Sequence, residues 1–370
     1  MKAGEQRPQV FGTGLIALDL VMSADPAAPV RSWAGGTCGN VLSILAYLGW
    51  DAFPIARLNG DPASQRVRQD MKRWGVRLDF AGCKPTSHTP IIIQEIRRGR
   101  DGKPTHRFSW TCPHCGEWLP GFKAVTKEAV EVVAPRLKDC NVFFMDRLSR
   151  AALTLAAEAS EQGGIVVFEP SGKSDPKLMA EAMKLSQIVK YADERLTGVG
   201  GAMARGSATL LEIQTLGSMG LRFRHRLDGK VSAWKELSAI TPPRLADTCG
   251  SGDWCTAGLI AKIGTGRLAG LRRSGVKSIE AALQYGQALA AWNCGFEGAR
   301  GGMYAVERSL FDDQINAVAS GRPETVLVDA RRVSRSNRLV VCPACPPDVP
   351  KKVFQSSREL KHTTAKASTA

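Results

Sequence analysis

No stretch of this chain reaches the roughly 18 uninterrupted apolar residues that a membrane-spanning helix needs. The first nine residues are charged and lead straight into an apolar strand pattern. They lack the apolar segment and small-residue cleavage site of a secretory leader. No internal repeat of about 20 to 50 residues is present, which excludes solenoids and propellers. A dinucleotide fingerprint is missing too. Gly12-x-Gly14-x-x-Ala17 mimics its start, but residues 15–22 lack helix character. No acid stands about 20 residues on at a strand end either. With 44% hydrophobic and 23% charged residues, the composition is neither disordered nor fibrous. These absences predict a globular protein of the cytoplasm, with no membrane partner.

Acidic residues are in deficit, 35 against 50 Lys and Arg, for a net charge of +15. Such an excess is either a solvated basic surface or the footprint of a polyanion, nucleotide phosphates or nucleic acid. Residues 326–370 hold nine Lys/Arg and three acids. They carry a large share of the excess in a tail that is Arg/Ser-rich, then Pro-rich, then polar. Charge alone does not make nucleic acid the partner. The 370 residues form a large enough core to be stable without disulfides, so the ten cysteines need another reading. Cys38, Cys83, Cys140, Cys249, Cys255 and Cys294 are scattered. Cys112/Cys115 and Cys342/Cys345 are Cys-x-x-Cys pairs, which in a reducing compartment suggest metal or redox chemistry.

Hydrophobic patterning predicts strands at 9–14, 53–58, 91–96, 105–110, 141–145, 164–168, 187–191 and 210–215, and a pairing of 221–227 with 231–237. Helices are predicted at 40–48, 62–74, 126–137, 150–162, 175–184, 253–263 and 279–294. Strand and helix alternate through the middle of the chain, the pattern of a parallel sheet covered on both faces by helices.

The run Asp247-Thr248-Cys249-Gly250-Ser251-Gly252-Asp253 stands immediately before the helix at 253–263. Small residues let backbone N–H groups converge, and the helix start adds unpaired N–H groups and positive dipole character. That combination favours an anion. Asp253 at the same spot is either a helix cap or a base beside the anion. Phosphoryl transfer needs both parts, stabilisation of the moving phosphoryl group and a base for the attacking hydroxyl. Earlier in the chain, Gly35-Gly36-Thr37-Cys38-Gly39-Asn40 precedes another helix. Paired glycines let a hydroxylated ligand lie against backbone, and an Asn side chain can both donate and accept.

The first run resembles the second signature of the ribokinase-like (PfkB) family of sugar and nucleoside kinases, with Ser251 where Ala is usual. The Gly35-Gly36 to Asn40 segment resembles the family's first signature, with Leu48-Gly49, Gly60-Asp61 and Gly75-Val76 as its downstream punctuation. The resemblance covers about residues 9–310. It implies a three-layer α/β/α domain over residues 1–325 with a small β-sheet lid from about 14–34 and 88–122, followed by the tail at 326–370. It implies ATP and Mg²⁺ as cofactors, a sugar or nucleoside as substrate, and a homodimer formed through the lid. Asp253 is the implied base and Gly250, Ser251 and Gly252 the anion cradle. Asp19, Gly35, Gly36 and Asn40 are the implied substrate ligands. Thr215, Gly217 and Gly220, in a Thr-x-Gly-x-x-Gly turn, would border the nucleotide together with Thr248 and Asn293.

The chain departs from the family's Asn-x-x-Glu pattern. Ala192 stands in the Asn position and Arg195 in the Glu position, leaving Asp193 or Glu194 to supply a neighbouring carboxylate, Glu194 for a magnesium shell, or an Arg to contact phosphate directly. Glu169 and Asp146, at the ends of predicted strands, are further pocket candidates. Cys112, Cys115, Cys342 and Cys345 have the spacing of two half zinc knuckles. A structural zinc pinning the tail to the lid is one expectation, unpaired or redox-active thiols the other. The expected function is ATP-dependent phosphorylation of a sugar or nucleoside hydroxyl. The competing reading is a sugar- or nucleotide-binding regulatory protein whose zinc knuckle contacts nucleic acid or protein.

Overall fold

The computed structural model describes residues 6–25, 28–84, 87–100, 102–113, 115–170, 174–192, 202–323 and 326. The strands are β1 (Gln9–Thr13), β2 (Ala17–Met22), β3 (Arg31–Gly35), β4 (Asp51–Leu58), β5 (Ala81–Cys83), β6 (Ile91–Arg98) and β7 (Pro104–Ser109). They continue as β8 (Val142–Met145), β9 (Ile165–Phe168), β10 (Ile188–Ala192), β11 (Leu211–Thr215), β12 (Leu221–His225) and β13 (Lys235–Leu237). The helices are α1 (Thr37–Tyr47), α2 (Pro62–Arg73), α3 (Lys127–Val133), α4 (Arg150–Glu161) and α5 (Pro176–Leu185). After them come α6 (Ser251–Ile263), α7 (Arg267–Arg273), α8 (Val276–Asn293), α9 (Gly301–Ala305) and α10 (Arg308–Ala319).

Nine strands form one sheet in the order β13-β12-β11-β10-β9-β8-β1-β4-β5. Strands β5 to β11 of that order run parallel, and β12 and β13 close the far edge antiparallel. Successive strand residues face opposite sides, and here both sides are dry. Val10, Val142, Phe144, Ile165 and Val167 pack with Leu42 of α1, Trp254 of α6 and Leu289 of α8. Phe11, Phe143, Met145, Val166 and Phe168 pack with Leu153 of α4 and Met179 of α5. That is the expected layering of helix, parallel sheet and helix. Helices α6 and α8 meet so closely at Gly258 that a Cβ there would lie 2.6 Å from the Cα of Gly286.

A second, four-stranded sheet has the order β3-β2-β6-β7. Its strands come from the segments expected to build a lid, with Gly35 at the end of β3 one residue beyond them. Asp19 in β2 is paired with Trp33 in β3 and Ile92 in β6 in the strand register. Trp33 stacks on Tyr304 of α9, with ring centroids 4.3 Å apart, which seats this sheet against the end of the large domain.

Helix α6 begins at Ser251, not at Asp253, so Asp253 sits inside its first turn. The sequence pattern also missed β3, β5, α7, α9 and α10. Strand β3 (RSWAG) follows a Pro/Ala-rich loop and offers no alternation. Helix α10 carries a helical stripe in Phe311, Ile315 and Val318, all buried. No helix among the described residues is long and apolar enough to cross a membrane. The expected tail at 326–370 lies outside the described residues apart from residue 326.

Candidate active site

The turn before α6 shows why it is glycine-rich. Gly250 caps the helix with φ 77°, and no side chain caps it. A Cβ on Gly250 would lie 2.3 Å from the carbonyl oxygen of Ala299. Backbone therefore lines this turn; the Ser251 N–H meets the Thr248 carbonyl at a long 3.3 Å, and no side chain caps the helix start, where an anion is favoured. Asp253 does not cap the helix. Its carboxylate is buried, and Oδ2 accepts a 2.7 Å hydrogen bond from Nδ2 of Asn40. Burial pushes the Asp253 carboxyl well above the usual carboxylate range, and the charge of Glu169 adds to this; Asn40 and Lys190 oppose it.

Asn40 is spent on both sides. Its Oδ1 accepts from Nε of Arg300 at 3.1 Å. Arg300, 1% exposed, also donates from Nη2 to Oδ2 of Asp70 at 2.9 Å and to the carbonyl of Ala34. Asp70 takes two further bonds on the same oxygen, from Tyr304 Oη at 2.7 Å and from the N–H of Ala34 at 2.9 Å. The Gly35 end of β3 is thereby fixed from both sides. Asp19 lies against it: a Cβ on Gly35 would fall 1.8 Å from Oδ2 of Asp19. The Asp19 carboxyl is pushed up to about 7 by burial, against the lowering effect of Arg300 and the Gly36 N–H. Its Oδ1 is buried with no hydrogen-bond partner among the described residues.

Beneath the glycine turn lies a buried ion pair. Lys190 Nζ from the middle of β10 donates to Oε1 of Glu169 at 2.8 Å. Oε2 of Glu169 accepts from Thr256 Oγ1 of α6 at 2.7 Å. Gly252 faces this pair, its missing Cβ 3.6 Å from both Lys190 Nζ and Glu169 Oε1. Asp146, at the end of β8, accepts from the N–H of Leu15 and from Arg147, each at 2.9 Å. Burial raises its carboxyl to about 6 despite Arg147. Glu169 and Asp146 are thus both buried just beyond strand ends, each with protein partners.

Asp247, the first residue of the turn, ties three segments together. Oδ2 accepts from Gln94 of β6 at 2.6 Å and from the N–H of Gly298 at 2.9 Å, and Oδ1 accepts from the N–H of Cys249 at 3.0 Å. His106 Nδ1 of β7 lies 3.6 Å from Oδ1.

Of the residues expected beside the nucleotide, Thr248 is exposed on the same turn. Thr215 ends β11, and Gly217 and Gly220 shape the tight turn after it with φ 60° and 105°. Asn293 stands apart. It is fully buried, and its side chain bonds the backbone of Gly298, Ala299 and Gly302. It folds the 298–302 loop onto the glycine turn and presents no polar atom to a ligand. Pattern reading missed Arg300, Asp70 and Gln94, since isolated polar residues within helices, strands and loops carry no periodic signal.

A zinc site is not supported. Among the described residues no group of three or more His, Cys, Asp or Glu could hold a metal ion. Cys112 is buried and Cys115 exposed, while Cys342 and Cys345 lie outside the described residues. So does Glu194, the expected magnesium-shell residue. Ala192 closes β10.

The family model for pfkB family carbohydrate kinases matches residues 24–304. An ATP-dependent ribose-1-phosphate kinase from Halopiger xanaduensis is 26% identical over 301 residues, which span 77% of this chain and 89% of that protein. The solved fructokinase with bound ATP from Xylella fastidiosa superposes with a TM-score of 0.62 at 18% identity, covering 79% of this chain and 93% of its own. Ribokinase of Arabidopsis thaliana, solved with ribose and ATP, gives 0.61 at 17% identity, with 85% and 99% covered. The Burkholderia thailandensis nucleoside kinase in complex with inosine gives 0.59 at 19% identity, with 83% and 96% covered.

Proposed function

Because the chain belongs to the pfkB family of carbohydrate kinases, phosphotransferases that use a hydroxyl as acceptor, we propose that it moves the γ-phosphoryl group of ATP onto a hydroxyl of a sugar or nucleoside, with Asp253 as the base. One observation carries this reading. A buried carboxylate stands in the first turn of α6, directly behind a glycine turn where backbone crowding excludes a side chain at Gly250.

The acceptor hydroxyl gives its proton to Asp253 while its oxygen attacks the γ-phosphorus, and the bond to the leaving ADP oxygen breaks. A carboxyl with raised proton affinity is a stronger base at neutral pH. N–H groups of Gly250, Ser251 and Gly252 stabilise the charge on the transferring group. Asp19, Gly35 and Gly36 line the acceptor side, where the unpartnered Oδ1 of Asp19 suits a donated hydroxyl. Asn40, with both amide atoms committed to Asp253 and Arg300, serves the base and not the acceptor. Thr215, Gly217, Gly220 and Thr248 border the nucleotide.

Mg²⁺ entering with the nucleotide would neutralise phosphate charge. Such an ion is held chiefly by phosphates and water, and Glu169 and Asp146 are the buried carboxylates beside Asp253.

The test is a panel of ribose, ribose 1-phosphate, fructose and inosine with ATP and Mg²⁺, read as ADP release. Asp253→Asn should fold normally and lose about 10²- to 10⁴-fold in turnover, the usual contribution of a general base. Turnover close to wild type in that variant would refute Asp253 as the base.

A further inference from the structure

We propose that Arg300 is a positioning residue for the transfer: it locks the Asn40 amide in the orientation that aims an N–H at Asp253. The inference rests on the reading of Asp253 as the base. It adds a residue from the opposite end of the chain, which neither glycine signature contains.

The amide of Asn40 sits between two charged groups of opposite sign. On one side the carboxylate Oδ2 of Asp253 can only accept, and it lies 2.7 Å from Nδ2. On the other the guanidinium Nε of Arg300 can only donate, and it lies 3.1 Å from Oδ1. An Asn amide has one accepting and one donating end, so Arg300 dictates which end meets Asp253. Turned over, the amide would set N–H against N–H and oxygen against carboxylate. Arg300 is itself immobile. Asp70 of α2 and the carbonyl of Ala34 hold its Nη2, and it lies against Tyr304 of α9, 5.7 Å from the ring centroid. Its place in the loop is fixed as well, because Asn293 bonds the residues on either side of it. The line from Asp70 through Arg300 and Asn40 to Asp253 is buried throughout.

The groups facing each end are known. Asp253 meets Asn40 from α1, Glu169 beyond β9, Lys190 from β10 and Asp146 beyond β8. Arg300 meets Asp70, Tyr304 and Asp19. A donated bond from Asn40 favours the ionised base, against burial and the two neighbouring acids. Loss of that bond should therefore move the acidic limb of the turnover–pH profile to higher pH.

Arg300→Lys separates this role from a purely structural one. Lysine keeps a cation for Asp70 and Asp19, but its single ammonium cannot span both Asp70 and Asn40. With whichever of ribose, ribose 1-phosphate, fructose or inosine is turned over best, the variant should keep its acceptor KM within about threefold. Its kcat should fall about tenfold or more, and the acidic limb should shift upward. Asn40→Ala should behave alike. The double variant should be no slower than Asn40→Ala alone, since the two residues act as one unit. Independent multiplication of the two losses, or a rise in acceptor KM with kcat intact, would overturn the proposal. A readout without turnover is the side-chain amide signal of Asn40 in ¹⁵N-labelled protein, compared between wild type and Arg300→Lys. Strong exchange protection lost in the variant supports the lock, and an unchanged signal refutes it. If wild type releases ADP with none of the four acceptors, the transfer reading fails for them, and the amide signal still decides the lock.

Discussion

Replacing Asp19 by Asn should make the protein harder to unfold while weakening its hold on the acceptor. Asp19 is buried and its carboxyl is raised from the ordinary 3.8 to about 7, because burial penalises its charge more than Arg300 and the Gly36 N–H relieve it. The folded chain therefore binds this proton more tightly than the unfolded chain does. Its stability falls as pH climbs from about 4 to about 7, and the loss is complete above that range. About three pKa units at roughly 1.4 kcal/mol each give a penalty of about 4 kcal/mol at pH 8. The same arithmetic leaves a little under 2 kcal/mol at pH 5. Asparagine carries no charge to bury, but its N–H₂ end would meet the Gly36 N–H or Arg300, so a net gain of about 2 kcal/mol at pH 8 is the expected result. For a chain of this length that corresponds to a rise of about 3 °C in Tm. Urea unfolding of wild type and Asp19→Asn at pH 5 and pH 8 measures it. The advantage of the variant should be larger at pH 8 by about 2–3 kcal/mol. A pH-independent difference, or a variant less stable at both pH values, would refute the account of Asp19 as a carboxylate held charged for its ligand at the expense of the fold.

Gly250→Ala should be damaging out of proportion to one methyl group. The left-handed backbone costs about 1–2 kcal/mol, and the methyl meets the backbone of Ala299. Reduced kcat and a lower Tm together are expected from ADP-release assays and thermal melts. Gly258→Ala tests the contact between α6 and α8. The added Cβ would sit 2.6 Å from Gly286 Cα, so overpacking should cost about 1–3 kcal/mol in urea unfolding. Stability equal to wild type would mean the helices can part without loss.

The fold was legible in sequence wherever periodicity was strong. Residues 142–145 and 165–168 are continuous apolar runs because both faces of those strands are covered, and α4 shows an Ala/Leu stripe. The short strand β3 was not legible. Its burial comes from tertiary contacts such as Trp33 on Tyr304, which no local pattern announces. The glycine turn was legible because backbone crowding allows few substitutes. The capping alternative for Asp253 fell only when the helix start moved to Ser251 and the cap to Gly250. The line from Asp253 through Asn40 to Arg300 was not legible, since its members are 213 and 260 residues apart and each is an isolated polar residue in its own element. Asn293 illustrates the reverse error. Its position near the turn suggested a ligand, but its amide is consumed by the neighbouring loop.

The place of β1 in the large sheet has a consequence for synthesis of the chain. It precedes every other described strand in the chain, and it pairs on one side with β4 and on the other with β8. Gln9 bonds Asn141, 132 residues later. At translation speeds of about 5–20 residues per second, β1 waits on the order of ten seconds with one edge open. During that interval β4 and the helix α1 can already cover it, because their contacts are local. An open, apolar parallel edge is also where a nascent chain is most exposed to pairing with the wrong strand. Slower elongation through 59–141 should therefore lower the soluble yield without touching any residue of the active site.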